Sequence, residues 1–147
     1  MVVVTGGAHG IGQAIVEDFR KEGAVVEVID KTSGTYFVGD IGNKETLEAF
    51  SSYVLEKHSH IDYLINNALL IMKGIDECSY EEFQYALSVG VTAPFYLTKL
   101  FKDSFNKGAV IVNISSSRDR MSQDNTESYT AAKGLSLIHI SEPTRPY

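Results

Sequence analysis

The chain has 147 residues, 44% of them hydrophobic and 22% charged, and its 13 Lys and Arg against 19 Asp and Glu leave a net charge of −6. Such a composition fits one soluble globular domain, carries no basic footprint for nucleic acid or an anionic membrane, and has apolar runs too short to span a bilayer. The one cysteine, Cys78, excludes an internal disulfide framework and fits a reducing, cytoplasmic setting, and no signal-peptide pattern precedes the first strand. Val2, Val3 and Val4 are β-branched and predict a short buried strand. Glycines at 6, 10 and 12 follow, and then a helical pattern begins. A strand that passes through a glycine turn into a helix presents backbone N–H groups and the positive end of the helix dipole, a seat for phosphate. Gly6 permits the tight turn, Gly10 the approach of a pyrophosphate, and Gly12 the close packing of helix on strand. A phosphate loop of the Gly-Lys-Ser/Thr kind is excluded, because no such triplet closes the turn.

Ile11, Ile15 and Phe19 recur at four-residue spacing and predict the apolar stripe of the first helix, which Gly23 caps. Ala24 to Ile29 read as the second strand, ending in Asp30, 25 residues beyond Thr5. An acid there accepts both hydroxyls of an adenosine ribose and repels a 2′-phosphate, which favours NAD over NADP, although Lys31 and His9 offset part of the repulsion. The alternative is a solvated acid at a strand end. Tyr36 to Val38 is a third strand, closing on Asp40 and Ile41; Asp40 either reaches an adenine amino group or caps the next helix. That helix, Asn43 to Lys57, turns Leu47, Phe50 and Val54 inward with Asn43 as its N-cap. His58 and His60 have no third ligand at metal-site spacing and predict solvated loop residues and no metal site.

Ile61 to Asn66 is the fourth strand, followed by Asn67, Ala68 and the apolar Leu69 to Met72. Ser79 to about Phe105 is mostly helical and opens with a capping box, Ser79 and Glu82. Its apolar positions (Phe83, Leu87, Val91, Phe95, Leu97, Leu100, Phe101) exceed one sheet-facing stripe and point to a second buried face against another subunit, hence a homo-oligomer. Gly90 and Pro94 interrupt it. After a turn at Asn106 to Gly108, Ala109 to Ile114 is a fifth strand, aliphatic enough to be buried on both faces. Ser115, Ser116 and Ser117 stand at its carboxyl end, where an open parallel sheet does its chemistry.

A polar loop, Arg118 to Asn125, leads to a last helix with Tyr129 and Lys133 four apart on one face. A phenol, with an ordinary pKa of about 10, is a poor acid–base catalyst at neutral pH, and a neighbouring ammonium stabilises its phenolate. Ser116, thirteen residues before Tyr129, can hydrogen-bond a substrate oxygen beside the phenol.

Together, Thr5-Gly-Gly-Ala-His-Gly-Ile-Gly12, Asn66-Asn-Ala68, Ile114-Ser-Ser116 and Tyr129-x-x-x-Lys133 resemble the motifs of the short-chain dehydrogenase/reductase family, in the family's order, over residues 1 to 134. The resemblance implies an α/β fold: a Rossmann-like, doubly wound parallel sheet in three α/β/α layers, with about five strands and incomplete at its C-terminal side. It implies hydride transfer between a nicotinamide, NAD before NADP, and a small-molecule carbonyl or alcohol. Tyr129 would be the acid–base group and Ser116 would orient the substrate oxygen. Lys133 would bind the nicotinamide ribose and lower the tyrosine pKa. The cofactor would meet Gly6, His9, Gly10, Ile11 and Gly12 of the loop, Asp30, Asp40 and Ile41 beyond it, Asn67 and Ala68 on the adenosine side, Ile114 and Ser115 near the nicotinamide, and Tyr129 and Lys133.

Two departures stand out. Leu69 replaces the glycine that usually follows Asn-Asn-Ala, and Gly90, in Val89-Gly90-Val91, replaces an asparagine that holds a relay water in many members. A non-catalytic nucleotide-binding module is therefore a rival reading, and a protein that merely dimerises through its long helix is another. From Leu135 the sequence changes character and resembles a translated sequencing-library adapter, in which Pro143 and Pro146 break the helix. Residues 1–134 are thus expected to form a partial NAD(P)-binding domain, truncated after the Tyr-x-x-x-Lys motif, and 135–147 a non-native tail, the fragment itself being inactive.

Overall fold

The structure, a computed structural model, describes residues 1–68, 72–121 and 123–139, with side chains of the last helix through Ser136. The predicted roles of Leu69 and of Pro143 and Pro146 therefore lie outside the described residues. Five parallel strands, β1 (Val2–Thr5), β2 (Val26–Asp30), β3 (Phe37–Val38), β4 (Ile61–Asn66) and β5 (Phe105–Asn113), form one sheet in the order β3-β2-β1-β4-β5. The order reverses at β1, so the chain leaving β1 and the chain leaving β4 pass to opposite faces of the sheet and open a crevice between them, the place where open α/β sheets bind ligands. The expected Rossmann-like fold is present.

Helices cover both faces. Val2, Val4, Val28 and Ile65 point to one side and pack on Val16, Ile15 and Phe19 of α1 (Gly10–Lys21). Val3, Ile29 and Leu64 point to the other, against Phe50 and Val54 of α2 (Lys44–Lys57), Leu97 and Phe101 of α4 (Ala93–Phe101), and Ala132 of α5 (Glu127–His139). Alternation along each strand thus builds two cores around one sheet. Asn43 caps α2 by accepting from the amides of Glu45 at 2.9 Å and Thr46 at 3.3 Å. Among the described residues, no helix is long and apolar enough to cross a membrane.

Three expectations need correction. Ile11 is 65% exposed and is not part of the core stripe; it lies in the first turn of α1, beyond the sheet, and the stripe runs through Val16 instead. The long helix from Ser79 is broken into α3 (Tyr80–Leu87), a π-turn (Ser88–Thr92) and α4, and a 3₁₀ turn (Lys102–Ser104) ends it before β5. Finally, β5 is not buried on both faces: none of its residues is fully buried, because it is the sheet's edge. It also begins earlier than predicted. The turn at Asn106 to Gly108 is a bulge within it, since β4 advances from Ile61 to Tyr63 while β5 advances from Phe105 to Val110.

Candidate active site

The glycine turn between β1 and α1 is shaped by close contacts that leave no room for side chains. A Cβ on Gly6, whose φ is +67°, would fall 2.6 Å from Ala68 Cα, and one on Gly12 would fall 2.1 Å from the Gly6 carbonyl oxygen. Asn67 braces the same turn by donating its side-chain amide to the carbonyls of Thr5 at 3.2 Å and Gly6 at 2.8 Å. Thr5 Oγ1 in turn accepts from the Asn67 and Ala68 amides. Above the turn, α1 starts with no acidic residue in its first turn and no side-chain cap from His9. Its positive end is therefore left for an anion.

Asp30 closes β2 and faces the turn. One carboxylate oxygen accepts from the Ala8 amide at 3.0 Å and the other from the Thr32 amide at 2.9 Å. Partial burial pushes its pKa up, but the Thr32 and Ala8 amides outweigh that, and the carboxyl titrates below its ordinary value. Asp40 accepts from the Gly42 amide at 2.8 Å and from the Tyr85 hydroxyl at 2.7 Å. Asp40 thus does not cap α2, whose N-cap is Asn43; its carboxylate closes a turn in the loop just before it. The Tyr85 pKa is pushed up to about 12, first by burial and then by the Asp40 carboxylate that accepts its proton.

At the other end, Tyr129 and Lys133 are each 8% exposed on one face of α5. The Lys133 amine donates to the Ile114 carbonyl and lies 5.7 Å from the centroid of the Tyr129 ring. Burial holds its pKa below the ordinary lysine value. The helix is fixed at its start by Ser128, 1% exposed, whose hydroxyl donates to the Lys73 carbonyl at 2.9 Å and accepts from the Lys73 amide at 3.1 Å. Lys73 is itself paired with Glu82 of the α3 capping box at 2.5 Å. The anchoring therefore runs from α3 through the segment after β4 to the helix that carries the phenol.

One cavity of about 420 Å³ joins the two ends, within the range of ligand pockets. Its wall at the glycine turn is Gly6, His9, Gly10, Ile11 and Gly12; its flank is Asp30, Asp40, Ile41, Asn67 and Ala68; its far wall is Ile114, Ser115, Tyr129 and Lys133. Every residue named from the sequence for the cofactor lines it. Ser116 does not: its hydroxyl accepts from the Arg118 amide at 3.3 Å as the cap of a short 3₁₀ turn, Ser117–Asp119. Ser115, next to it, donates to Asp119 at 2.8 Å. Lys31, expected beside Asp30, also lines the cavity, as do Tyr85, Val89 and Thr32, which were not foreseen. Lys31 and Thr32 were detectable as neighbours of Asp30, whereas no local motif marks Tyr85. Among the described residues, no cluster of three or more His, Cys, Asp or Glu residues is placed to hold a metal. The left-handed glycine turn, an uncapped helix start and a strand-end carboxylate all on one cavity fit a dinucleotide.

Residues 1–139 match the family model described as short chain dehydrogenase, and the chain belongs to that family. It is 31% identical to an uncharacterized oxidoreductase of Thermotoga maritima over 95% of its own length and 62% of the relative's. It is 34% identical to an L-fucose dehydrogenase of Mus musculus over 91% of its length and 55% of that enzyme's. The chain thus spans little more than half the length of the curated relatives it matches. Among solved structures, an apo SCOR enzyme from Clostridium thermocellum superposes with a TM-score of 0.86 at 41% identity, covering 91% of this chain and 61% of that one. A solved 4-hydroxyisoleucine dehydrogenase, 26% identical with a TM-score of 0.80, is complexed with NADH and succinate, and neighbours complexed with NADP or NADPH, at 24% and 22% identity, share the fold.

Proposed function

We propose that this chain carries the site of an NAD(P)-dependent oxidoreductase that moves a hydride between the nicotinamide and a carbonyl or alcohol of a small molecule. The observation that supports it most is the burial of Tyr129 and Lys133 side by side on the cavity whose opposite end is the glycine turn. When bound, the cofactor supplies or takes the hydride. The Gly6-to-Gly12 turn would hold its diphosphate, Asp30 its adenosine ribose, and Ile114, Ser115 and Lys133 its nicotinamide side. The preference for NAD rests on Asp30, whose ionised carboxylate repels a 2′-phosphate.

Tyr129 gives a proton to the substrate oxygen during reduction and takes it back during oxidation. Lys133, whose amine lies 5.7 Å from the centroid of the Tyr129 ring, is the cation beside the phenol in this reading. Ser116 orients the substrate oxygen: because its oxygen accepts from Arg118, its own O–H is left to donate. Residues 1–134 form the domain in this reading and 135–147 a foreign tail. The activity is that of a longer protein of the relatives' length in this reading, of which the chain spans little more than half. A non-catalytic nucleotide-binding module is the second reading, favoured by Gly90 and by the position of Ser116 off the cavity wall.

NADH fluorescence titration and carbonyl reduction by the longer protein test both. Tyr129→Phe is expected to retain NADH binding and to lower turnover by about 10²–10⁴-fold. Equal rates exclude Tyr129 as the acid–base group and leave the binding module, and absence of NADH binding removes both readings.

A further inference from the structure

Beyond β5 the chain folds at once into a tight turn held by its own side chains. Asp119 donates its amide to the Ser116 carbonyl at 3.0 Å and accepts from the Ser115 hydroxyl at 2.8 Å, while the Ser116 hydroxyl accepts from the Arg118 amide at 3.3 Å. Arg118 is thereby carried on a fixed 3₁₀ turn, two residues beyond Ser116. Its half-buried side chain reaches out of the turn to the chain leaving β4, where Nη1 lies 3.9 Å from Met72 Sδ. Met72 immediately precedes Lys73, whose amide and carbonyl hold Ser128, the neighbour of Tyr129. The guanidinium therefore links the exits of β4 and β5 at the sheet edge that carries Ser116 and the start of α5.

A thioether is a weak acceptor and a guanidinium has five N–H donors, so Met72 leaves most of them unused. The other cations of this edge are committed. Lys73 pairs with Glu82 at 2.5 Å, Arg120 lies 3.8 Å from Asp119, and Lys133 donates to the Ile114 carbonyl. Among the described residues no Asp or Glu is paired with Arg118, because the acid beside it, Asp119, is taken by Ser115 and Arg120. The chain has a net charge of −6, so acids to neutralise an arginine are not scarce. A planar fork of donors left open in this way matches two oxygens of a carboxylate or a phosphate.

We propose that Arg118 determines substrate choice, its guanidinium binding an anionic oxo group, carboxylate or phosphate, on the molecule whose carbonyl or alcohol reacts. The proposal rests on the reading of Ser116 and Tyr129 as the groups that meet the reacting oxygen, and it narrows the substrates to oxo or hydroxy acids and their phosphate-ester counterparts. One turn then grips one molecule twice, by the Ser116 hydroxyl at the reacting oxygen and by Arg118 at the anion, and two anchors restrict its orientation.

Carbonyl reduction by the longer protein tests this with two pairs of compounds, a 3-oxo acid against its methyl ester and dihydroxyacetone phosphate against dihydroxyacetone. Wild type is expected to favour the anion in one pair, and that pair identifies the group as carboxylate or phosphate. Arg118→Met is expected to lower the anion-over-neutral ratio of kcat/KM by about 10–100-fold, chiefly through KM for the anion. Arg118→Lys keeps the charge without the fork and is expected to fall between. Arg120→Met removes a cation two residues on and is expected to leave the ratio in place. No preference in wild type, an unchanged ratio in Arg118→Met, or equal falls in the Arg118→Met and Arg120→Met variants overturns the proposal. A second readout needs no turnover: in isotope-labelled longer protein the Arg118 Nε–H resonance is expected to move saturably with malonate or inorganic phosphate and to stay in place with malonamide. Saturation without reduction of any carbonyl keeps the anion site and removes the enzyme reading, whereas reduction without saturation by either anion does the reverse.

Discussion

Asp30 does two things at once: it faces the cavity where a ribose would lie, and it holds the Ala8 and Thr32 amides. Because its folded pKa is depressed, its contribution to stability is fully present above the unfolded value of about 3.9 and is lost as pH falls through the folded value. Asp30→Asn is therefore expected to flatten the fall of melting temperature below about pH 4. An unchanged acid limb in thermal scans would show that the amide bonds add nothing. Asp30 was legible in the sequence because strand length and spacing fix where a β2 end falls. Tyr129 and Lys133 were legible because a helix puts positions four apart on one face. The placement of Ser116 was not, since its hydroxyl has a local choice, the Arg118 amide two residues on, that no spacing rule reveals. Nor was Tyr85, whose partner Asp40 lies 45 residues away.

Among the elements, those closed by local chemistry followed the sequence. Asn43 caps α2, and Ser79 with Glu82 opens α3 as a capping box. Asn43→Ala is expected to cost about 1 kcal/mol in chemical denaturation, since two amides lose their acceptor. A loss below a few tenths would mean that solvent replaces the cap. The π-turn was hidden because a single extra residue barely alters the apolar period of a helix, and Gly90 and Pro94 marked only that something interrupts it.

For the whole molecule, the sheet sets the behaviour. Among the described residues β5 pairs only with β4, and on one face Val110 and its register partner Tyr63 are 43% and 38% exposed. A parallel edge strand with a half-bare apolar flank is a template for further pairing. The chain is expected to self-associate with rising concentration, and Val110→Lys to suppress this in sedimentation and light scattering. Unchanged association would place the contact elsewhere, with the half-buried Phe83 and exposed Phe95 flank of α3 and α4 the next surface to alter. The aliphatic run of β5 gave no hint of its place at the edge, because strand order depends on which neighbours are present and not on the strand's own residues.

The tie between the Ala8 amide and the Asp30 carboxylate spans the floor of the crevice before any guest arrives. Its effect is on entropy: the backbone that must surround a diphosphate is ordered when the chain folds, so little freedom remains to be lost on association. On the proposed function, capture of a nucleotide would then be a meeting of two finished shapes, governed by diffusion and charge more than by rearrangement of the protein.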